Sequence, residues 1–283
     1  MEIFNLLEEE WDAAIILDAC RYDSFRSVYN EYLEGGELEK RIGATCTTHW
    51  LRSVFGEGAY RDIVYVSGNP WVNSLTAWDG FKPGEKFKEI RDVWEEAWDE
   101  QLETVPPSPV TEAAMEARRE HPNDRLIIHY LQPHYPYLTN TIPEEIKMYF
   151  DGVDGRDRES KNYILSSLSR HVNQSFEKIL GRSSFWKLRK YFGIKMKSVE
   201  EYLWRTYSVR ELRDLYEKNL RRVLSEVKKL LDNLDGQLVV TSDHGEAFGE
   251  QGDFFHPCGT KNPAVRQVPY WRSTDRRDDR CEP

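Results

Sequence analysis

Residues 237–257 read QLVVTSDHGEAFGEQGDFFHP. The run from Leu238 to Val240 is short, apolar and β-branched, which is the pattern of a buried strand. It stops at Thr241-Ser242 and delivers Asp243 and His244 to its carboxyl end. In an open α/β sheet, ligands bind outside the carboxyl ends of the strands. A carboxylate next to an imidazole at that edge suits a divalent cation with mixed oxygen and nitrogen ligands. Gly245 permits a sharp turn, and His256 brings a second imidazole back further along the chain. The competing account is a polar turn after a strand, with His256 merely exposed.

The same arrangement recurs near the start of the chain. Trp11 to Leu17 carries the apolar core AAIIL and runs directly into Asp18. Asp18 therefore has the topological position of Asp243. A carboxylate there often only caps the next helix, but a cation shared with Asp243 and His244 accounts for all three residues. Arg21 and Asp23 open a helix expected to reach about Leu33, closed by Gly35-Gly36. Residues 41–56, RIGATCTTHWLRSVFG, place hydroxyls and a thiol before a helical pattern of Trp50, Leu51, Val54 and Phe55. Such hydroxyls are usually helix caps. A helix start also favours a bound oxyanion and can host an activated nucleophile, and it lowers the pKa of a thiol such as Cys46.

Two further strands are expected. Asp62–Ser67 leads into the loop Gly68-Asn69-Pro70-Trp71, and Arg125–Leu131 leads into QPHYPY, residues 132–137. His129 lies within the second of these strands and reads as a core histidine. His134 stands on the loop at its end and is the functional candidate. A helix is expected from about Ser108 to Arg119, and a long amphipathic one over 208–234.

The chain has 283 residues, 39% of them hydrophobic, with nine tryptophans and a net charge of −10. That supports a substantial core and one α/β domain over 1–283: a mostly parallel central sheet flanked by helices. Residues 140–206 differ in character and read as a helical insertion or lid. Their basic run 182–197 is interleaved with Phe185, Trp186, Leu188, Tyr191 and Phe192, so an amphipathic helix over the active site is favoured above a nucleic-acid patch. Val265 to Trp271 is expected to add a short strand, and 272–283 to be a loose tail. The acidic surface gives no general attraction to nucleic acid. The four cysteines form no C-x-x-C pair, so neither a zinc site nor a disulfide framework is signalled. No run has the length of a membrane helix and the N-terminus lacks a positive region, so a cytoplasmic protein is expected.

Three segments in order, ILDACRYDSF (16–25), HYLQPHYPY (129–137) and VVTSDHGEAFGEQGDFFHP (239–257), carry a resemblance. The chain resembles the alkaline-phosphatase/sulfatase superfamily, in the sulfatase-like branch that includes lipoteichoic-acid synthases and phosphoethanolamine transferases. The resemblance implies Asp18, Asp243 and His244 as ligands of one divalent metal ion. By donor chemistry manganese or zinc is favoured, with magnesium and calcium also admissible. It implies His134 and His256 as imidazoles on the substrate side, Arg21 and Thr48 as substrate-binding, and a nucleophile within 44–50. Cys46 is followed by Thr47-Thr48-His49-Trp50, not by the C-x-P-S-R of sulfatases, so Thr47 is the expected nucleophile. Gln251 stands where the family's G-E-H-G motif has histidine. The implied activity is hydrolysis or transfer of a phosphate or sulfate ester on a small molecule, glycan or lipid-linked substrate. The rival functions are a non-catalytic binder of phosphorylated or sulfated glycans and a nucleic-acid phosphodiesterase.

Overall fold

The computed structural model describes residues 2–146, 148, 182–196 and 198–274. Nine strands are named among them: β1 (Ala13–Leu17), β2 (Gly36–Ile42), β3 (Tyr60–Ser67), β4 (Phe87–Arg91), β5 (Arg125–Tyr130), β6 (Leu238–Thr241), β7 (Ala247–Phe248), β8 (Phe254–Phe255) and β9 (Gln267–Ser273). Seven form the main sheet in the order β2-β9-β6-β1-β5-β3-β4, while β7 and β8 make a separate hairpin. The run β6-β1-β5-β3-β4 is parallel throughout. Only β9 runs against its neighbours. This is the mostly parallel, helix-flanked α/β sheet that the sequence led one to expect.

The central strands are apolar on both faces because both faces are covered. Every residue of β1 is buried. Ala13, Ile15 and Leu17 point into one layer, with Val223, Val227 and Leu230 of the Val209–Asn233 helix and Val110 and Ala114 of the Pro107–Glu120 helix. Ala14 and Ile16 point into the other, with Trp50, Leu51, Val54 and Phe55 of the Thr47–Phe55 helix. Each fully buried Ile or Leu contributes roughly 1.5–3 kcal/mol, so the parallel centre anchors what stands at its edge.

Several expectations are refined. The first helix ends sooner, at Val28, and a single 3-10 turn follows at Tyr29–Glu31. The long helix is capped by Ser208 and Glu211, each satisfying the other's backbone N–H. Arg272 and Ser273, expected in the loose tail, instead complete β9 and pair with Val239, Glu37 and Gly36. The remaining tail, from 275, lies outside the described residues. So do 147, 149–181 and 197 of the expected 140–206 insertion. The described part contributes two helices, Arg182–Tyr191 and Val199–Thr206. They pack through Phe185, Trp186, Val199 and Leu203 onto Tyr135, Tyr137 and Phe255.

Candidate active site

The parallel register brings the ends of β1, β3, β5 and β6 to one edge, and Asp18, Asn69, His134 and Asp243-His244 follow those ends directly or within a few residues. The Thr47–Phe55 helix reaches the same edge through two close approaches. A Cβ on Gly43 would lie 2.6 Å from Val268 Cγ1 and 3.0 Å from the Asp243 carbonyl oxygen, so only glycine lets this segment sit against β6. Ala44 N–H then donates to that same carbonyl at 2.8 Å. Gly245 is needed for a similar reason, since a Cβ there would meet the Ala264 carbonyl oxygen at 2.3 Å.

Cys46 is the N-cap and Thr47 the first residue of this helix. Thr47 Oγ1 donates to Asp243 Oδ2 at 2.7 Å and lies 3.5 Å from His244 Nε2. Asp243 Oδ1 accepts from the backbone of Ala19 at 3.2 Å and His244 at 2.9 Å. His244 Nδ1 contacts the Gly245 carbonyl at 2.9 Å. A carbonyl can only accept, so Nδ1 carries the proton and Nε2 is the bare nitrogen, as in a metal-ligating imidazole. That Nε2 lies 3.5 Å from Asp18 Oδ1 and 3.4 Å from Asp243 Oδ2. Asn69 Nδ2 donates to the other Asp18 oxygen at 2.7 Å.

Two buried atoms here have no hydrogen-bond partner: Asp18 Oδ1 and His129 Nε2. Ligand atoms of Asp18, His129 and Asp243 all lie within 4.8 Å of one another. Leaving such groups unpaired is costly, and a cation would satisfy both. The donor set of two carboxylates flanked by two imidazoles therefore fits a divalent metal. His129 had read as a core histidine, and it does have core contacts. Tyr65 Oη lies 2.8 Å from Nδ1, and Trp50 packs edge-on to its ring. Its second nitrogen is what sequence reasoning missed, because a histidine inside a strand gives no sign of which neighbour its far side meets.

The electrostatics are those of a site built for positive charge. Burial raises the Asp18 pKa well above the usual carboxylate range, and the charges of Asp243 and Glu246 add to this. Burial also works against ionised Asp243, but His244, His129 and the Thr47 hydrogen bond outweigh it and lower its pKa. Burial pushes His129 down to about 4. His134 falls well below the ordinary imidazole value through burial, then through the neighbouring His256 and His244.

His134 and His256 meet on the outer side of this cluster. Their ring centroids are 4.8 Å apart, and His256 is 4.5 Å from the His244 ring. The His134 Nδ1 donates to the carbonyl of Tyr135, and His256 Nδ1 lies 3.0 Å from Glu246 Oε1. Thr48 is one residue beyond Thr47, with its hydroxyl 3.5 Å from Cys46 Sγ. Arg21 lies between the Asp18 loop and the 246–250 turn. Its guanidinium grips Asp23 at 2.8 and 2.6 Å, Glu250 at 2.6 Å and the Glu246 carbonyl at 2.9 Å. Four of its five N–H donors are engaged in this way, and they tie the Asp18 loop to the 246–250 turn. Gln251 sits exposed in that turn with φ of 53°.

Cys46 is bonded to Cys258, 212 residues away. The bond staples the Thr47 segment to the loop carrying His256 and leaves Cys46 without a free thiol. It also bears on location, because structural disulfides persist in oxidising compartments and are rare in the cytosol.

Neither a protein-family model nor a curated protein sequence matches the chain. Solved structures do. The integral membrane lipooligosaccharide phosphoethanolamine transferase A from Neisseria meningitidis aligns with a TM-score of 0.50 at 13% identity, over 93% of this chain and 47% of that one. The chain thus spans about half the length of that transferase. The C-terminal periplasmic domain of the phosphoethanolamine transferase EptC from Escherichia coli, in complex with Zn, aligns at 12% identity with a TM-score of 0.48, over 93% and 72% of the two chains. An alkaline phosphatase superfamily protein from Vibrio parahaemolyticus aligns at 11% identity with a TM-score of 0.46, over 94% and 61%. At 13% identity the likeness shows the fold alone: the chain shares the α/β fold of the Neisseria meningitidis phosphoethanolamine transferase. The cytoplasmic expectation is corrected by the Cys46–Cys258 bond, which belongs to an oxidising compartment; the transferase from Neisseria meningitidis that shares the fold is an integral membrane protein. No described helix is long and apolar enough to cross a membrane.

Proposed function

We propose, from the alkaline-phosphatase-superfamily fold and the edge it builds, that the chain is a metal-dependent phosphate-ester transferase or hydrolase working outside the cytoplasm with Thr47 as nucleophile. One observation carries the reading: Thr47 Oγ1 lies at a helix start, 2.7 Å from Asp243 Oδ2, beside the unpartnered Asp18 Oδ1. A divalent cation held by Asp18, Asp243, His244 and His129 would supply Lewis-acid charge, lowering the pKa of a hydroxyl and neutralising phosphoryl oxygens.

The protein's own groups do the rest. Asp243 Oδ2 orients Thr47 and receives its proton as the new Oγ–P bond forms and the ester oxygen departs. The first turn of the Thr47–Phe55 helix has no acidic residue, so its N–H groups favour the transferred anion. His256, with its ring fixed by Glu246, is placed to protonate the departing oxygen. His134 has its proton on Nδ1, which leaves Nε2 an acceptor suited to an incoming water or alcohol. That second attack on phosphorus breaks the Oγ–P bond and regenerates the Thr47 hydroxyl.

The test pairs elemental analysis with turnover of phosphate and sulfate esters. Thr47→Ala should keep metal and fold and lose turnover by at least about a thousandfold, as expected for a lost nucleophile. Thr48→Ala should cost no more than about 1 kcal/mol of stability, as a weakened helix start. A phosphorylated Thr47 peptide should be recoverable after acid quench. An active Thr47→Ala protein, or a metal-free wild type with full turnover, would sink the reading.

A further inference from the structure

The strongest feature outside the site is the segment that follows Trp186. Between residues 182 and 197 the chain has six Lys or Arg and no Asp or Glu, within a protein of net charge −10. Its apolar residues divide sharply. Phe185 and Trp186 are buried against the domain, while Leu188, Tyr191, Phe192 and Ile194 are 46%, 84%, 64% and 43% exposed. Lys187, Lys190 and Lys195 are exposed beside them. Exposed apolar side chains rimmed by like charge mark an interaction surface.

This surface is held in shape from beneath. Arg189 is buried, donating to Glu201 at 2.8 Å and to the Lys195 carbonyl at 2.8 Å. Arg205 donates to the Ile194 carbonyl at 2.8 Å and pairs with the same Glu201. Backbone bonds from Phe192, Gly193 and Ile194 return to Leu188, Lys190 and Arg189. The turn at Gly193 therefore presents Phe192 and Ile194 outward on a hydrogen-bonded frame. Arg189 and Arg205 share the single carboxylate of Glu201 in that frame, and among the described residues no ion pair is found for the three exposed lysines.

We infer that residues 187–195 dock the protein onto the surface of an anionic lipid bilayer. Aromatic and aliphatic side chains enter the headgroup boundary and lysines meet the acidic headgroups. Leu188 and Ile194 favour lipid over nucleic acid, because aliphatic side chains offer no face for base stacking. The same helix also faces the site: Trp186 lies 6.1 Å from the Phe255 ring, the residue before His256. A docked protein thus holds the cleft about one helix diameter, roughly 10 Å, from the headgroups. Docking stands on the surface alone; only its use, delivery of a lipid-borne ester, rests on the proposed function.

The experiment is co-sedimentation of the full chain with phosphatidylcholine vesicles made with and without phosphatidylglycerol. Wild type should bind the anionic vesicles and release them at high salt. The triple variant Lys187→Glu/Lys190→Glu/Lys195→Glu should weaken binding at least tenfold. So should Tyr191→Ser/Phe192→Ser. Both should retain the wild-type melting temperature and turnover of a water-soluble ester, since none of these side chains lies in the site. Absent vesicle binding, binding unchanged in both variants, preference for single-stranded nucleic acid, or self-association abolished by the same substitutions would each overturn the inference. Failure of ester turnover with vesicle binding intact would count against the proposed function alone.

Discussion

Asp18 and Asp243 share one pair of imidazoles yet their pKa values are shifted in opposite directions, and that difference predicts what happens when Asp18 is neutralised. Asp18, raised by burial and by the two nearby carboxylates, favours its protonated form without a cation. A carboxyl raised in the folded state binds more protons there than in the unfolded chain. The associated stability is present at low pH and is lost as pH rises through the folded value. Metal-free protein is therefore destabilised, as pH rises, by charge on a buried Asp18 with one oxygen unpartnered. Asp18→Asn removes that charge, keeps an acceptor for Asn69, and brings an amide donor near the bare His244 Nε2. We expect it to raise the melting temperature of chelator-treated protein, by about 0.5–2 kcal/mol of stability, while abolishing metal binding and turnover. Thermal scans with and without chelator check this; a destabilised metal-free variant would show that the Asp18 charge is already compensated.

At the scale of elements, the Val209–Asn233 helix supports two loops of the candidate site from below. Tyr216 Oη donates to the Ala19 carbonyl at 2.8 Å and accepts from Arg21 N–H at 2.9 Å. Ala19, with φ of 59°, is in the left-handed region that alanine disfavours. Asn219 holds the other loop, accepting from Leu138 N–H at 2.9 Å and donating to the His134 carbonyl at 3.1 Å. Tyr216→Phe keeps the buried ring and strips the Asp18 turn of both bonds. It should cost about 1–3 kcal/mol and weaken metal affinity before it affects turnover at saturating metal. A metal titration separates this from general destabilisation, which would lower stability and leave the metal dissociation constant unchanged.

Across the whole molecule, the legible parts were those whose physics is local. The parallel centre announced itself as apolar runs, because strands covered on both faces need no alternation, and each run handed its Asp or His to the same edge. The outer strands were missed. β2 reads GELEKRI and β4 reads FKEIR, because half-exposed edge strands carry charge and dilute the strand signal. The tie between Arg21 and Glu250 was not legible, because the two lie far apart in sequence. The Cys46–Cys258 bond was unreadable for the same reason. Its prediction belongs to this scale, since it joins the first third of the chain to the last. Non-reducing digestion should yield the two cysteines in one linked peptide. The double variant Cys46→Ser/Cys258→Ser should lose about 2–4 kcal/mol, with turnover falling further than metal content as Thr47 and His256 drift apart. Free thiols at both positions in the purified protein would refute it.

That bond also sets what a protease can do to the protein. Cleavage at any exposed loop between residues 46 and 258 would leave two polypeptides that cannot part, because the staple spans the cut. The strands on either side would stay paired in one sheet, and the nicked species would migrate as a single molecule until reduced. In a compartment where proteases are common and reductants scarce, a cut surface loop would yield a two-chain form of the protein and not its fragments.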